Sequence, residues 1–248
     1  MAKDLFSEKA DLYAQYRPTY PEALFEYILS FVKEKGVAWD CATGNGQAAV
    51  RLAESFVRIE ATDISEAQLL NAVQKENIHY QISAAESTPF ADNTFDLITV
   101  ATAYHWLHWD AFFKEATRVG KPDCVVAAWS SYTMQMGDEA LQHLYKRFYW
   151  EIVGPYWDPE RKYVDDQYQT VIFDFAPLPL KEFNIEVQWS KQQVKGYWET
   201  WSSTQKYTKE KGYSPLLVIE EDLDRLWNDT DIKTLSIPLC LRLGRVVK

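Results

Sequence analysis

The stretch Val37-Ala-Trp-Asp40-Cys-Ala-Thr-Gly44-Asn-Gly46-Gln-Ala-Ala49-Val50 reads as a strand, a glycine turn and the opening of a helix. Gly44-Asn-Gly46-Gln-Ala-Ala49 fits the G-x-G-x-x-G/A pattern, whose small residues let a backbone turn approach a ligand closely. Alone the pattern is weak, because a strand-to-helix turn without a ligand can carry the same residues. Its surroundings strengthen it. A second apolar run ends on Asp63, 63 − 46 = 17 residues beyond the second glycine. That is close to the spacing at which an acid meets a ribose.

Working outward, Pro21 opens a helix whose Leu24, Phe25, Ile28, Leu29 and Val32 share one face, with Gly36 as its stop. Five short apolar runs follow, at Val37–Ala42, Val57–Thr62, Ile78–Ser83, Phe95–Ala101 and Cys124–Trp129, each predicted as a strand. Helical patterns at Gln47–Ser55, Ser65–Lys75 and Trp109–Val119 separate most of them, and Ser65 with Gln68 makes a capping box. Strands alternating with helices predict an α/β fold, a parallel sheet covered on both faces. After Trp129 the pattern changes. Ser130–Phe175 is aromatic and irregular, with a helical core at Asp138–Ile152. Lys181–Trp189 alternates as a strand, Val194–Thr208 reads as a helix, and Ser214-Pro215 opens another that runs to about Trp227. Ile237–Val247 is a last strand, and Pro238 predicts that it begins at an edge or bulge.

The 248 residues suit one domain, here 1–248, with segment 1–36 covering the cofactor and an aromatic cap at about 130–175. The formal charge of −10 disfavours general attraction to nucleic acid or to an anionic membrane. No apolar run approaches a membrane span, and there is no apolar signal core at the N-terminus. Cys41, Cys124 and Cys240 are isolated, so no disulfide framework or zinc spacing follows and a cytoplasmic home is expected. The 10 Trp, 15 Tyr and 12 Phe are numerous enough to line an apolar pocket.

Asp40 separates the ligand classes. A fixed carboxylate beside a pyrophosphate costs energy, more so in a partly buried cleft. S-adenosylmethionine has no phosphate, and its methionine end carries an ammonium near a sulfonium. A carboxylate before the turn stabilises that end, so S-adenosylmethionine is favoured over NAD. Walker-type ATP binding fails because no Lys-Ser/Thr follows the glycines.

With these motifs the chain resembles the class I S-adenosylmethionine-dependent methyltransferases, and within them a small-molecule branch similar to trans-aconitate methyltransferases. The resemblance rests on Asp40-Cys-Ala-Thr-Gly44-Asn-Gly46, Ala61-Thr-Asp63-Ile64-Ser65, Ala84-Ala85-Glu86-Ser-Thr-Pro89-Phe90, Phe95–Ala101 and Tyr13-Ala-Gln-Tyr16-Arg17-Pro18. It covers residues 10–130 well and the second half loosely. It implies a Rossmann-like three-layer αβα sandwich with a seven-stranded, mostly parallel sheet and an antiparallel last strand. It further implies that Asp40, Ala42, Gly44 and Gly46 form the cofactor turn, that Asp63 holds the ribose hydroxyls and that Ile64 packs on adenine. Ala85 and Glu86 reach the adenine edge, and Ala101 ends the fourth strand beside the sulfonium. Tyr16 and Arg17 belong to the covering segment, and Tyr104, His105 and Trp106 follow the fourth strand into the active site.

Each residue also has a plainer reading. Asp40 could cap its turn, Arg17 could be a surface arginine, and Glu86 could lie on an exposed loop. His105 is a candidate general base or positioning group, whereas His108 reads as a helix-entry residue. His105 and His108 have no third partner at metal spacing, so no metal is expected. The expected reaction is in-line methyl transfer to a small molecule. A carboxylate acceptor needs no base, and a hydroxyl acceptor does. Two other functions use the same turn: a non-catalytic S-adenosylmethionine sensor and an NAD-dependent dehydrogenase.

Overall fold

The computed structural model describes residues 16–248, so Tyr13 of the expected covering segment lies outside the described residues. The first half alternates α1 (Glu22–Leu29), β1 (Val37–Cys41), α2 (Gln47–Leu52), β2 (Arg58–Asp63), α3 (Glu66–Leu70), β3 (Ile78–Ile82), β4 (Phe95–Ala101), α4 (Trp109–Val119) and β5 (Gly120–Ser131). The second half carries α5 (Glu139–Lys146), α6 (Arg161–Asp165), the short β6 (Ala176–Pro177), β7 (Phe183–Ser190), α7 (Lys191–Glu199), α8 (Ser202–Lys211), α9 (Glu220–Leu226) and β8 (Ile232–Arg245).

The sheet order is β3-β2-β1-β4-β5-β8, with β7 and β6 on the far side of β8. Strands β1 to β5 are parallel, and β8 runs antiparallel to both β5 and β7. This is the expected mostly parallel, Rossmann-like sheet with an antiparallel last strand, extended by the two residues of β6. Parallel strands are buried on both faces and therefore read as continuous apolar runs. Alternation along β5 shows the two layers. Val125, Ala127 and Trp129 join the core beneath α1 and α2, and Cys124, Val126 and Ala128 join the core beneath α4. No helix among the described residues is long and apolar enough to cross a membrane.

Two local expectations are corrected. Pro238 does not open a strand. It lies inside β8, in register with Asn184 of β7. Its carbonyl accepts from the Tyr132 N–H, just past Ser131, where β5 ends. The proline nitrogen points to that same side and cannot return the bond, and pairing there resumes only at the Gln135–Ser236 bridge. The predicted helix over Val194–Thr208 is two helices, α7 and α8, broken at Thr200-Trp201. Thr200 Oγ1 donates to the Tyr197 carbonyl at 2.6 Å, a local bond that competes with helix continuation. The break turns Trp201 and Ser202 toward the mouth of the sheet.

Candidate active site

A cleft of about 1670 Å³, open mouth included, lies at the carboxyl ends of β1, β2 and β4. Open α/β sheets bind ligands at that end. Its lining divides by origin. Ala42, Gly44, Asp63, Ile64, Ala85, Glu86 and Ala101 come from the first half. Tyr149, Trp157, Arg161, Tyr197 and Trp201 come from the second, and Arg17 and Tyr20 precede α1.

The turn after β1 is shaped by left-handed backbone at Ala42 (φ 53°), Gly44 (φ 56°) and Gly46 (φ 83°). Only glycine adopts this region freely, so Ala42 is held there at a cost of about 1 kcal/mol. The glycine amides are already committed. The Gly44 N–H donates to Asp63 Oδ2 at 2.8 Å, and the Gly46 N–H donates to the Thr43 carbonyl at 3.0 Å. A pyrophosphate needs such amides free. The turn instead offers close backbone approach beside the Asp63 carboxylate, which fits a ribose-bearing cation better than a dinucleotide. Asp63 Oδ1 also accepts from the Ser65 N–H at 2.9 Å, so one carboxylate braces the glycine turn and the entry to α3. Ser65 caps α3 by accepting from the Gln68 N–H. Glu86 Oε1 accepts from the His108 N–H at 3.0 Å, which ties the loop after β3 to the start of α4.

Four expected site residues stand elsewhere. Asp40 does not line the cleft. It is fully buried beneath the turn, accepting from Thr43 Oγ1 at 2.5 Å, the Ala49 N–H at 3.1 Å and Thr99 Oγ1 at 2.7 Å. The direct contact expected with a ligand ammonium is replaced by support of the loop, because the carboxylate follows an inward-facing β1 position. Gly46 also faces away from the cleft: a Cβ there would lie 2.3 Å from the Tyr80 hydroxyl. Tyr16 packs its ring on Gly196 of α7 and borders a separate hollow beside β7. Tyr104 belongs to the core, its hydroxyl donating to the Ile172 carbonyl at 2.7 Å. His105 and Trp106, from the 3-10 turn Tyr104–Trp106 after β4, do line the cleft, and Thr102 beside them is held at φ 56°. A left-handed threonine is strained, and such strain clusters at functional sites.

Burial raises the Asp40 carboxyl from its ordinary 3.8 to about 6, against the lowering effect of the Thr43, Thr99 and Ala49 hydrogen bonds. A folded value above the unfolded one favours folding at low pH, and that contribution is lost as pH rises through 6. An asparagine side chain at this position could keep the same contacts, with its oxygen toward Ala49 and Thr43 and its amide nitrogen toward Thr99. Asp40→Asn should therefore gain stability relative to wild type by about 1.5 kcal/mol between pH 5 and pH 8 in the cofactor-free protein. Denaturant titration at both pH values checks this, and an offset that does not change with pH would contradict it.

Sequence reasoning missed the far end of the cleft. Arg161, at the first position of α6, lies with its guanidinium 4.6 Å from the centroid of Trp157 and 5.6 Å from that of Tyr149. Its Nε donates to the Tyr149 hydroxyl at 2.8 Å, which in turn donates to Asp165 Oδ1 at 2.5 Å. Nη1 and Nη2 have no hydrogen bond among the described residues and are not sealed off by protein atoms, so they are open to the cleft. Burial opposes the Arg161 charge, but Tyr149 and Asp165 outweigh it and keep the guanidinium firmly protonated. In sequence the only hint was the Arg161–Asp165 pair in an aromatic stretch, which reads as an ordinary surface i,i+4 pair. Trp157 and Trp201 wall the cleft, whereas Trp198 is core and Trp150 is half exposed.

Comparison with known proteins agrees with this geometry. The methyltransferase domain family matches residues 39–128, which span β1 to β5. A protein of Dictyostelium discoideum named as a methyltransferase is 33% identical over 92% of this chain and 88% of its own length. A solved structure named as a type II methyltransferase, from Anaeromyxobacter dehalogenans, is 32% identical, covers 94% of this chain and 99% of its own, and superposes with a TM-score of 0.86. A Bacillus halodurans structure, also named as a methyltransferase, shares the fold at a TM-score of 0.52 and 15% identity, over 91% of this chain and 100% of its own. The chain belongs to the class I S-adenosylmethionine-dependent methyltransferases. It is an enzyme of that class, and the dehydrogenase and sensor readings give way to it.

Proposed function

We propose that the chain methylates a carboxylate oxygen of a small molecule held at the aromatic end of the cleft. The observation that carries this reading is Arg161: a protonated guanidinium whose two terminal nitrogens open onto the cleft between Trp157 and Tyr149. Arg presents a planar fork of donors that matches a carboxylate. Arg17 adds a second cation to the lining, its guanidinium 5.3 Å from the Tyr197 centroid. Asp158, an acid lining the same end of the cleft, is engaged by Lys206 Nζ at 2.5 Å.

When bound, S-adenosylmethionine supplies an electrophilic methyl group on a sulfonium. On this reading Asp63 accepts from the ribose hydroxyls, Ile64 packs on adenine, and Ala85 and Glu86 meet the adenine edge. Asp40 contributes its buried charge through the loop it supports. Ala101, His105 and Trp106 border the space where acceptor and methyl meet. Arg17 and Tyr20 before α1 and the cap at 130–175 close over the cleft, and the aromatic walls exclude water from a weakly solvated carboxylate. A carboxylate is ionised at neutral pH, so positioning suffices and no proton need be removed. The net charge of −10 gives nucleic acid no general attraction, and the three free, buried thiols suit a cytoplasmic setting.

The test is transfer of label from methyl-labelled S-adenosylmethionine to small aliphatic and aromatic carboxylates, each run beside the matching alcohol and amide. Base-labile methyl ester from the carboxylates alone is the expected result. Stable ether or N-methylamide product from the other series, with no ester, would overturn the carboxylate reading and leave the methyltransferase assignment intact.

A further inference from the structure

His105 looks at first like the base of the site. Its ring is buried, it lines the cleft, and it sits just past the end of β4. Its hydrogen bonding points to a different role. Nδ1 lies 2.9 Å from the hydroxyl of Tyr168, a fully buried residue. Among the described residues Nδ1 is the one hydrogen-bond partner of the Tyr168 hydroxyl, and the nearby Ser130 hydroxyl donates to the Ser131 carbonyl. Were Nδ1 the donor, the fully buried phenol proton would be left without an acceptor, which costs free energy. The phenol proton is therefore directed to Nδ1. Nδ1 is the acceptor, so the ring's own proton resides on Nε2. Nε2 has no hydrogen-bond partner among the described residues and is not sealed from the cleft.

Tyr168 is itself fixed. Its backbone is left-handed, with φ 59°, and its carbonyl accepts from both Nε and Nη2 of Arg242 on β8. The protonated Arg161 shares the cleft with His105. Burial first, and Arg161 second, push the imidazolium down to about 3, so the ring is neutral wherever the enzyme is folded at ordinary pH.

We infer that His105 is a tautomer-locked hydrogen-bond donor whose Nε2–H positions an acceptor oxygen, with Tyr168 as the residue that sets the lock. This rests on the carboxylate reading above. Arg161 and His105 then supply donors to one acceptor carboxylate and orient the attacking oxygen, and neither takes a proton.

The lock can be read without any acceptor. In the full chain with histidine labelled in both ring nitrogens, His105, assigned by its loss in His105→Gln, should show a protonated Nε2 and a bare Nδ1. The pattern should not change between about pH 5.5 and 8, the span in which an ordinary histidine titrates. Tyr168→Phe should leave the ring as a mixture of tautomers. A protonated Nδ1 in the wild-type protein, or titration near 6.5, would overturn the inference whatever the acceptor proves to be. Turnover separates donor from base a second way, because glutamine keeps an N–H but has no basic nitrogen. With the best carboxylate of the acceptor series, His105→Gln should stay within about tenfold of wild-type kcat/KM while His105→Ala falls about a hundredfold. Equal loss in both variants would contradict the donor role. Absence of any ester product, with the Nε2–H tautomer intact, would count against the carboxylate reading alone.

Discussion

Arg161→Met lowers kcat/KM for a carboxylate acceptor by roughly a hundredfold or more, the expected cost of about 3 kcal/mol for removing one partner of a desolvated charge pair. Methionine is chosen because its unbranched side chain can fill the space between Trp157 and Tyr149 without a charge. Affinity for S-adenosylhomocysteine should change by no more than about twofold, since Arg161 on α6 and Asp63 at the end of β2 share no hydrogen-bond partner. Thermal stability needs measuring alongside. The Tyr149–Asp165 hydrogen bond survives the substitution, but Asp165 loses its cation at 3.4 Å. A modest fall in melting temperature is therefore expected. Unchanged kcat/KM in a folded variant would remove Arg161 as the acceptor anchor.

Asp63 has the larger effect at the cofactor end. Its two oxygens accept from the Gly44 and Ser65 amides, and it faces the cleft. Asp63→Ala removes both braces and the ribose acceptor together, so affinity for S-adenosylhomocysteine should fall by about 2–3 kcal/mol, roughly 30- to 150-fold. Asp63→Asn keeps one acceptor oxygen and turns a donor against an amide N–H, so its loss should be nearly as large. Calorimetric titration measures the affinity, and circular dichroism confirms that each variant is folded. Undiminished affinity in a folded Asp63→Ala protein would sink the ribose assignment. A loss matched by collapse of stability would instead mark Asp63 as a brace for the turn.

The first half of this fold was legible because its physics is local. Each of β1 to β5 is an apolar run of strand length between turn residues, and α4 falls on Trp109–Val119 as the pattern predicts. The same regularity placed Asp63, Ile64, Ala85, Glu86 and Ala101, since residues at strand ends must open onto the cleft. Asp40 and Gly46 sit in the expected turn but do not line the cleft, for a related reason. Spacing identifies the turn but does not tell which of its side chains face the ligand and which face the sheet. The acceptor end was illegible for a different cause. Arg161, Trp157 and Tyr197 converge from separate segments through tertiary packing, and no short-range pattern joins them. The break between α7 and α8 followed from a threonine–carbonyl bond at Thr200, which propensity alone does not weigh.

The position of β8 has a consequence for how the chain must assemble. Its residues give β5 an outer neighbour and give β7 a strand partner, while Arg242 anchors Tyr168. During synthesis the parallel core can form first, but its β5 edge then stands with unpaired amides and carbonyls, and edges of that kind recruit other chains. The segment that protects this edge is also the segment that completes the histidine–tyrosine device. A nascent chain can thus hold its nucleoside half in order before it can orient an acceptor. Damage near Ile232–Arg245 would show as aggregation and as lost selectivity together.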